Sequence, residues 1–203
     1  MVASSTFSGL RRLLTAAPAP PKSAGCELCG APLGGKHSHV ADTSARRLLC
    51  ACEHCANAAM PDAGMQLVAG RYLHESHMWI TAEQWAGLDV PVDLAFFFFS
   101  AALGRVVASY PGAAGAIESP LPIDRWQSLV AAHPWARIRP DVEALLVRRV
   151  GGAFQCFVTP IDRCYELVGR IRTSWSGMDG GEAVRLEVDR FFADLTARCG
   201  GAA

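Results

Sequence analysis

The sequence predicts an α+β protein: a small treble-clef-like metal-binding module followed by an α+β domain with a short antiparallel sheet and several helices. Three observations carry this reading. Five of the eight cysteines crowd into "CELCG" and "LLCACEHC", between residues 26 and 55. Beyond them, aromatic and β-branched runs alternate with segments whose apolar residues recur every three or four positions. The chain has 203 residues and is 51% hydrophobic against 19% charged, enough to bury a core of ordinary size.

Residues 1–24 read as a flexible tail of small residues ending in "APAPPKSAG". Arg11 and Arg12 open like a twin-arginine signal, but proline interrupts the apolar stretch after them, so a cytoplasmic location is expected. No stretch reaches the roughly 18–20 apolar residues of a membrane span. The formal net charge is zero, so the positive excess that meets a phosphate backbone is missing and no nucleic-acid partner is expected.

Residues 25–62 form the cysteine module. Its large apolar residues, chiefly Leu28, Leu33, Val40, Leu48 and Leu49, are too few to fold it by burial alone, so it needs a crosslink. Cys26-x2-Cys29 and Cys52-x2-Cys55 supply one. A two-residue gap lets both thiolates of a turn reach one ion, and Gly30 permits the tight turn after the first pair. Packed spacing in a reducing compartment favours metal over disulfides. Four soft anionic ligands match tetrahedral zinc, whose binding is worth on the order of 10–16 kcal/mol. Iron, as a single ion or an iron–sulfur cluster, is the alternative, because thiolate spacing alone does not separate the two. The expected order is a CxxC knuckle, a hairpin, then Cys52 and Cys55 at the start of a helix.

His37, His39 and Cys50 exceed the four ligands that such a site needs. They can exchange with one of the cysteines, build a second metal site, or act in catalysis. A His-x-His on a hairpin beside a treble clef is similar to the HNH nucleases, where a histidine activates water at a bound metal. The basic excess, the central asparagine and the histidine after the last CxxC are absent: His54 lies inside the pair and Ala58 follows it. A metal-dependent nuclease or hydrolase therefore stands behind a non-enzymatic role.

Residues 63–199 read as the α+β domain. "MQLVAGRYL" suits a strand. "TAEQWAGL" carries a capping box, Thr81 with Gln84, at the head of a helix. "VDLAFFFFS" and "RVVASY" read as an antiparallel pair turning at Gly104, the first strand buried on both faces. "PGAAGAIESPLP" reads as a loop. "LPIDRWQSLV" and "TPIDRCYELV" are two similar helix starts, with proline at the first position and aspartate in the first turn. Thr159 and Asp162 form a second capping pair. "DVEALLV" is expected to be helical and "AFQCFVT" a strand. Cys164, Val168, Ile171 and Trp175 share one face of the helix after Pro160, which "SGMDGG" ends. The last helix carries a stripe of Val184, Val188, Phe191, Phe192 and Leu195, with Glu187/Arg190 and Asp194/Arg198 on its wet side.

Other candidates are weaker. "HESH" places His74 and His77 three apart, one short of the zincin spacing. Cys164 sits beside Arg163 near a helix start, but on the apolar face, and reads as a packed thiol. Cys156 reads as core and Cys199 as a tail thiol. No nucleophile elbow, P-loop or dinucleotide fingerprint occurs.

Taken in order, "CELCG", "HSH", "LLCACEHC", "VPVDLAFFFFS", "VVASYPGAAGAIES", "RPDVEALLV" and "TPIDRCYELVGRIRTSWSGMDGGE" resemble a bacterial protein family encoded in nickel–iron hydrogenase gene clusters of the actinobacterial type. The resemblance covers nearly all of residues 26–198; "RYLHESHMWI" departs from the pattern. It carries no established activity over to this chain. It implies a setting: an accessory or partner protein for a hydrogenase subunit or maturation factor, in assembly or electron transfer.

Overall fold

The computed structural model describes residues 25–59, 63–74, 80–177 and 180–200. The tail at 1–24, the join at 60–62 and His77 lie outside them. Two antiparallel sheets organise the chain. The first has three strands in the order β2-β1-β3: β1 (Ser38–Asp42), β2 (Arg47–Ala51) and β3 (Met65–Leu67). A short helix, α1 (Glu53–Asn57), follows β2.

The second sheet has six strands in the order β4-β9-β8-β5-β6-β7. They are β4 (Leu73–His74), β5 (Leu94–Ser100), β6 (Arg105–Gly112), β7 (Gly115–Pro120), β8 (Glu143–Val150) and β9 (Ala153–Pro160). Strand periodicity sends alternate residues to opposite faces. On one face Phe96, Phe98, Leu146 and Phe157 pack with α4 (Ile161–Ser174) and α5 (Gly181–Gly200), through Cys164, Ile171, Phe191, Phe192 and Leu195. On the other face Phe97, Val106, Leu145 and Val158 pack with α2 (Ala82–Gly87) and α3 (Ile123–Ala132), through Trp85, Leu88, Trp126 and Leu129. A helical layer thus covers each face, which is why "LAFFFFS" is apolar without alternation.

Several expectations hold. The capping box of α2 forms as Thr81 Oγ1 accepts from Gln84 N and Gln84 Oε1 accepts from Thr81 N. β5 and β6 pair through a turn in which Gly104 has φ 61°. Both Pro-Ile-Asp-Arg segments open helices, although each proline stands at the N-cap, one residue before the first helical position expected for it. Glu187/Arg190 and Asp194/Arg198 pair on α5.

Four expectations do not. Residues 141–147 lie in strand β8 and its approach, not a helix. Ala, Leu and Glu favour a helix in isolation, but β8 pairs with both β5 and β9 and is buried on both faces, and that packing overrides propensity. The stretch 111–120 is no plain loop: β6 runs on to Gly112, and β7 returns from Gly115 after a two-residue turn. "MQLVAGRYL" splits at Val68–Tyr72 into β3 and β4, which belong to different sheets. Thr159 does not cap α4. Its hydroxyl is buried without a hydrogen-bond partner, and Pro160 holds the N-cap with no side-chain bond.

The two sheets pack together. Ala41 of β1 and Val68 belong to the same core as Phe98 and Ile161. Arg46, in the β1–β2 turn at φ 54°, donates to both carboxylate oxygens of Glu118 on β7, at 2.9 and 2.8 Å. The buried carboxylate of Glu143 accepts from Arg71 and Arg139, which flank the six-stranded sheet.

Candidate metal centre

The knuckle at Cys26–Gly30 closes through Cys26 N donating to Ala31 O at 2.7 Å and Gly30 N donating to Cys26 O at 2.8 Å. Gly30 sits at φ 78°, a left-handed conformation that a side chain would strain. The knuckle is held against β2: Glu27 N donates to Cys50 O, and Cys50 N donates to Glu27 Oε2 at 2.6 Å. At the other end, Cys52 is the N-cap of α1, and its sulfur accepts from Cys55 N at 3.5 Å. Two turns of opposite origin therefore aim four sulfurs at one point. The Sγ atoms of Cys26, Cys29, Cys52 and Cys55 all lie within 4.8 Å of one another, with Cys29 and Cys52 at 3.7 Å. All eight cysteines are free of disulfides.

Around the sulfurs lies a miniature core of Val40, Ala51, Ala56 and the Cys26 side chain. Negative charge is favoured at Cys26, whose thiol is held down at about 6, chiefly by the backbone N–H of Cys52 and also by those of Leu28 and Cys29. Cys55 is pushed up to about 12, first by its hydrogen bond with Cys29 and then by that with Cys52. The free thiols thus share protons among themselves, which a bound cation displaces. This set can hold a metal ion.

The surplus residues form a second group. Ladder pairing puts His39 opposite Cys50, and His37 lies two residues before His39. One ring nitrogen of each histidine and the Cys50 sulfur lie within 4.8 Å of one another, and this group shares no member with the four cysteines. The rings meet edge to face at 4.8 Å. His37 Nδ1 lies 3.2 Å from Gly34 O and His39 Nδ1 lies 2.9 Å from Asp162 Oδ2. The Cys50 thiol is pushed up by burial and by the neighbouring Glu27 carboxylate.

One family model matches the chain, a family of unknown function, over residues 25–199. The chain belongs to this family, DUF5947. The DUF5947 match opens one residue before Cys26 and closes at Cys199, so it takes in both ligand groups and both sheets. No curated protein and no solved structure matches the chain.

Elsewhere in this DUF5947 chain the weaker candidates are placed plainly. Cys156 and Cys164 are fully buried; burial pushes Cys156 up to about 12 and raises Cys164 well above the ordinary thiol value. Neither is a nucleophile in this setting. Cys199 packs partly against the core. His74 stacks on Phe157 at 4.3 Å, far from a ligand's arrangement.

Two features gave no signal in the sequence. Asp162, read as a helix cap, instead faces His39 from 123 positions away. A cavity of about 320 Å³ lies between the β1–β2 hairpin and the larger sheet, lined by Leu48, Phe98, Ser100, Glu118, Asp141 and Tyr165. Burial raises Asp141 there and pushes Tyr165 up to about 12. Among the described residues no helix is long and apolar enough to cross a membrane.

Proposed function

We propose that this chain is a cytoplasmic metal-binding accessory protein, with one zinc ion held by Cys26, Cys29, Cys52 and Cys55 in a treble-clef module. The carrying observation is the convergence of four sulfurs from a knuckle and a helix start. A tetrahedral ion with zinc–sulfur bonds of about 2.3 Å requires sulfurs about 3.8 Å apart. Cys29 and Cys52 stand at 3.7 Å and every pair of the four sulfurs lies within 4.8 Å, so a closure of at most about 1 Å brings the set to that spacing. Knuckle, hairpin and short helix follow one another in treble-clef order, and all four positions carry protein ligands. Such a closed set serves structure rather than catalysis.

The role of the ion is to fix the hairpin, which in turn presents His39 and Arg46 to the larger sheet. The α+β body is the surface for a protein partner. The resemblance to proteins encoded with nickel–iron hydrogenases supports a hydrogenase subunit or maturation factor as that partner. Metal analysis of anaerobically purified protein, with the co-purifying proteins identified, tests both parts. One or more zinc per chain with a hydrogenase component supports the reading. A coloured, iron-loaded protein replaces it with a redox carrier.

A further inference from the structure

Both histidines of the hairpin are tied at the same ring atom. A carbonyl oxygen can only accept, so His37 Nδ1 carries the proton it donates to Gly34 O. The Asp162 carboxylate fixes His39 in the same tautomer, Nδ1–H donating to Oδ2. Each neutral ring is left with its lone pair on Nε2. His37 Nε2 is buried and has no hydrogen-bond partner, a costly state for a basic nitrogen unless something is meant to sit against it. The other oxygen of Asp162, Oδ1, is likewise buried and unpartnered.

Strand geometry supplies the third donor. His37 stands one residue before β1 with its ring 4.8 Å from that of His39, and the β1–β2 ladder sets Cys50 directly across from His39. The carboxylate behind His39 is the arrangement that orients a metal-bound imidazole and raises its basicity.

We propose that His37 Nε2, His39 Nε2 and Cys50 Sγ hold a second zinc-class ion, separate from the four-cysteine ion, with its fourth position open to an exogenous ligand. Two imidazoles and a thiolate suit a borderline divalent cation. Three protein donors and one open place are the pattern of reactive rather than structural zinc. All three residues are partly exposed, so the group lies close to the protein surface. Asp162 is a positioning residue here, acting through His39.

The test is metal titration of the full chain, stripped and refilled anaerobically with zinc and, separately, with cobalt(II). Wild-type protein takes up two equivalents of zinc. His37→Ala/His39→Ala takes up one, and Cys26→Ser/Cys29→Ser loses the other, so failure at one site is told apart from failure at the other. Cobalt resolves the sites without any variant: one equivalent gives the intense thiolate charge-transfer band of four sulfurs, the other about a quarter of it. Asp162→Ala weakens the second equivalent by about 10–100-fold and leaves the first unchanged. Saturation of wild-type protein at one equivalent overturns the proposal, as does a second equivalent that survives in His37→Ala/His39→Ala. A second cobalt equivalent without a thiolate band also overturns it.

Discussion

His39 Nδ1 lies 2.9 Å from Asp162 Oδ2, joining the hairpin of the cysteine module to the first turn of α4 across 123 positions of sequence. Both side chains are about a quarter exposed, so solvent weakens the contact. A double-mutant cycle with His39→Ala and Asp162→Ala should give a coupling energy of about 1 kcal/mol in metal-free protein. Additive losses would show that the contact does not join the two elements.

Glu143 has no exposed side-chain surface and accepts from Arg71 and Arg139. Burial alone would raise its pKa; the hydrogen bonds from Arg71 and from the Arg139 backbone outweigh it and hold the group below its ordinary value. A carboxyl depressed by folding adds stability above its unfolded pKa and loses it as pH falls through the folded value. Glu143→Gln should therefore destabilise the protein near neutrality and flatten this acid-side loss of stability. The arginines are about half exposed, so a cost near the low end for a broken buried pair, about 3 kcal/mol, is expected by urea unfolding. A midpoint for Glu143→Gln equal to that of wild type at pH 7, or an equally steep loss of stability in both proteins below about pH 4.5, would contradict the assignment.

Gly151 and Gly152 form the two-residue turn between β8 and β9, at φ 58° and 85°. Nothing crowds a Cβ at either position, so alanine there isolates backbone strain from packing. Each substitution should cost about 1–2 kcal/mol. Thermal unfolding of the two single variants measures it, and a neutral result would argue against the turn.

Cys156 and Cys164 should resist thiol reagents in the native state and react only on unfolding, since both are fully buried with raised pKa. In chelator-treated protein the reactive thiols should come from the module and Cys199. Prompt labelling of Cys156 or Cys164, read by mass spectrometry of peptides, would contradict the packing of α4 and β9.

Much of this was legible in the sequence. The CxxC pairs announced a shared ion because their spacing acts locally, and the capping box at Thr81 and the apolar face of α4 are local too. β8 was hidden because its residues favour a helix when read alone; only pairing with β5 and β9 makes them a strand. The Gly151–Gly152 dipeptide, a turn signal beside a recognised strand, pointed to a hairpin and so to β8. β7 was masked by the alanines and glycines of its turn. Asp162 and the Ser100–Asp141 cavity depend on contacts between distant segments, which no local pattern encodes.

The most direct measurement is the zinc-to-protein ratio of the anaerobically purified full chain beside its Cys26→Ser/Cys29→Ser variant. The four-sulfur site predicts that the variant holds one zinc fewer per chain than wild type and that its knuckle at Cys26–Gly30 opens to proteolysis. Equal ratios in the two proteins, with the module equally resistant, would contradict it.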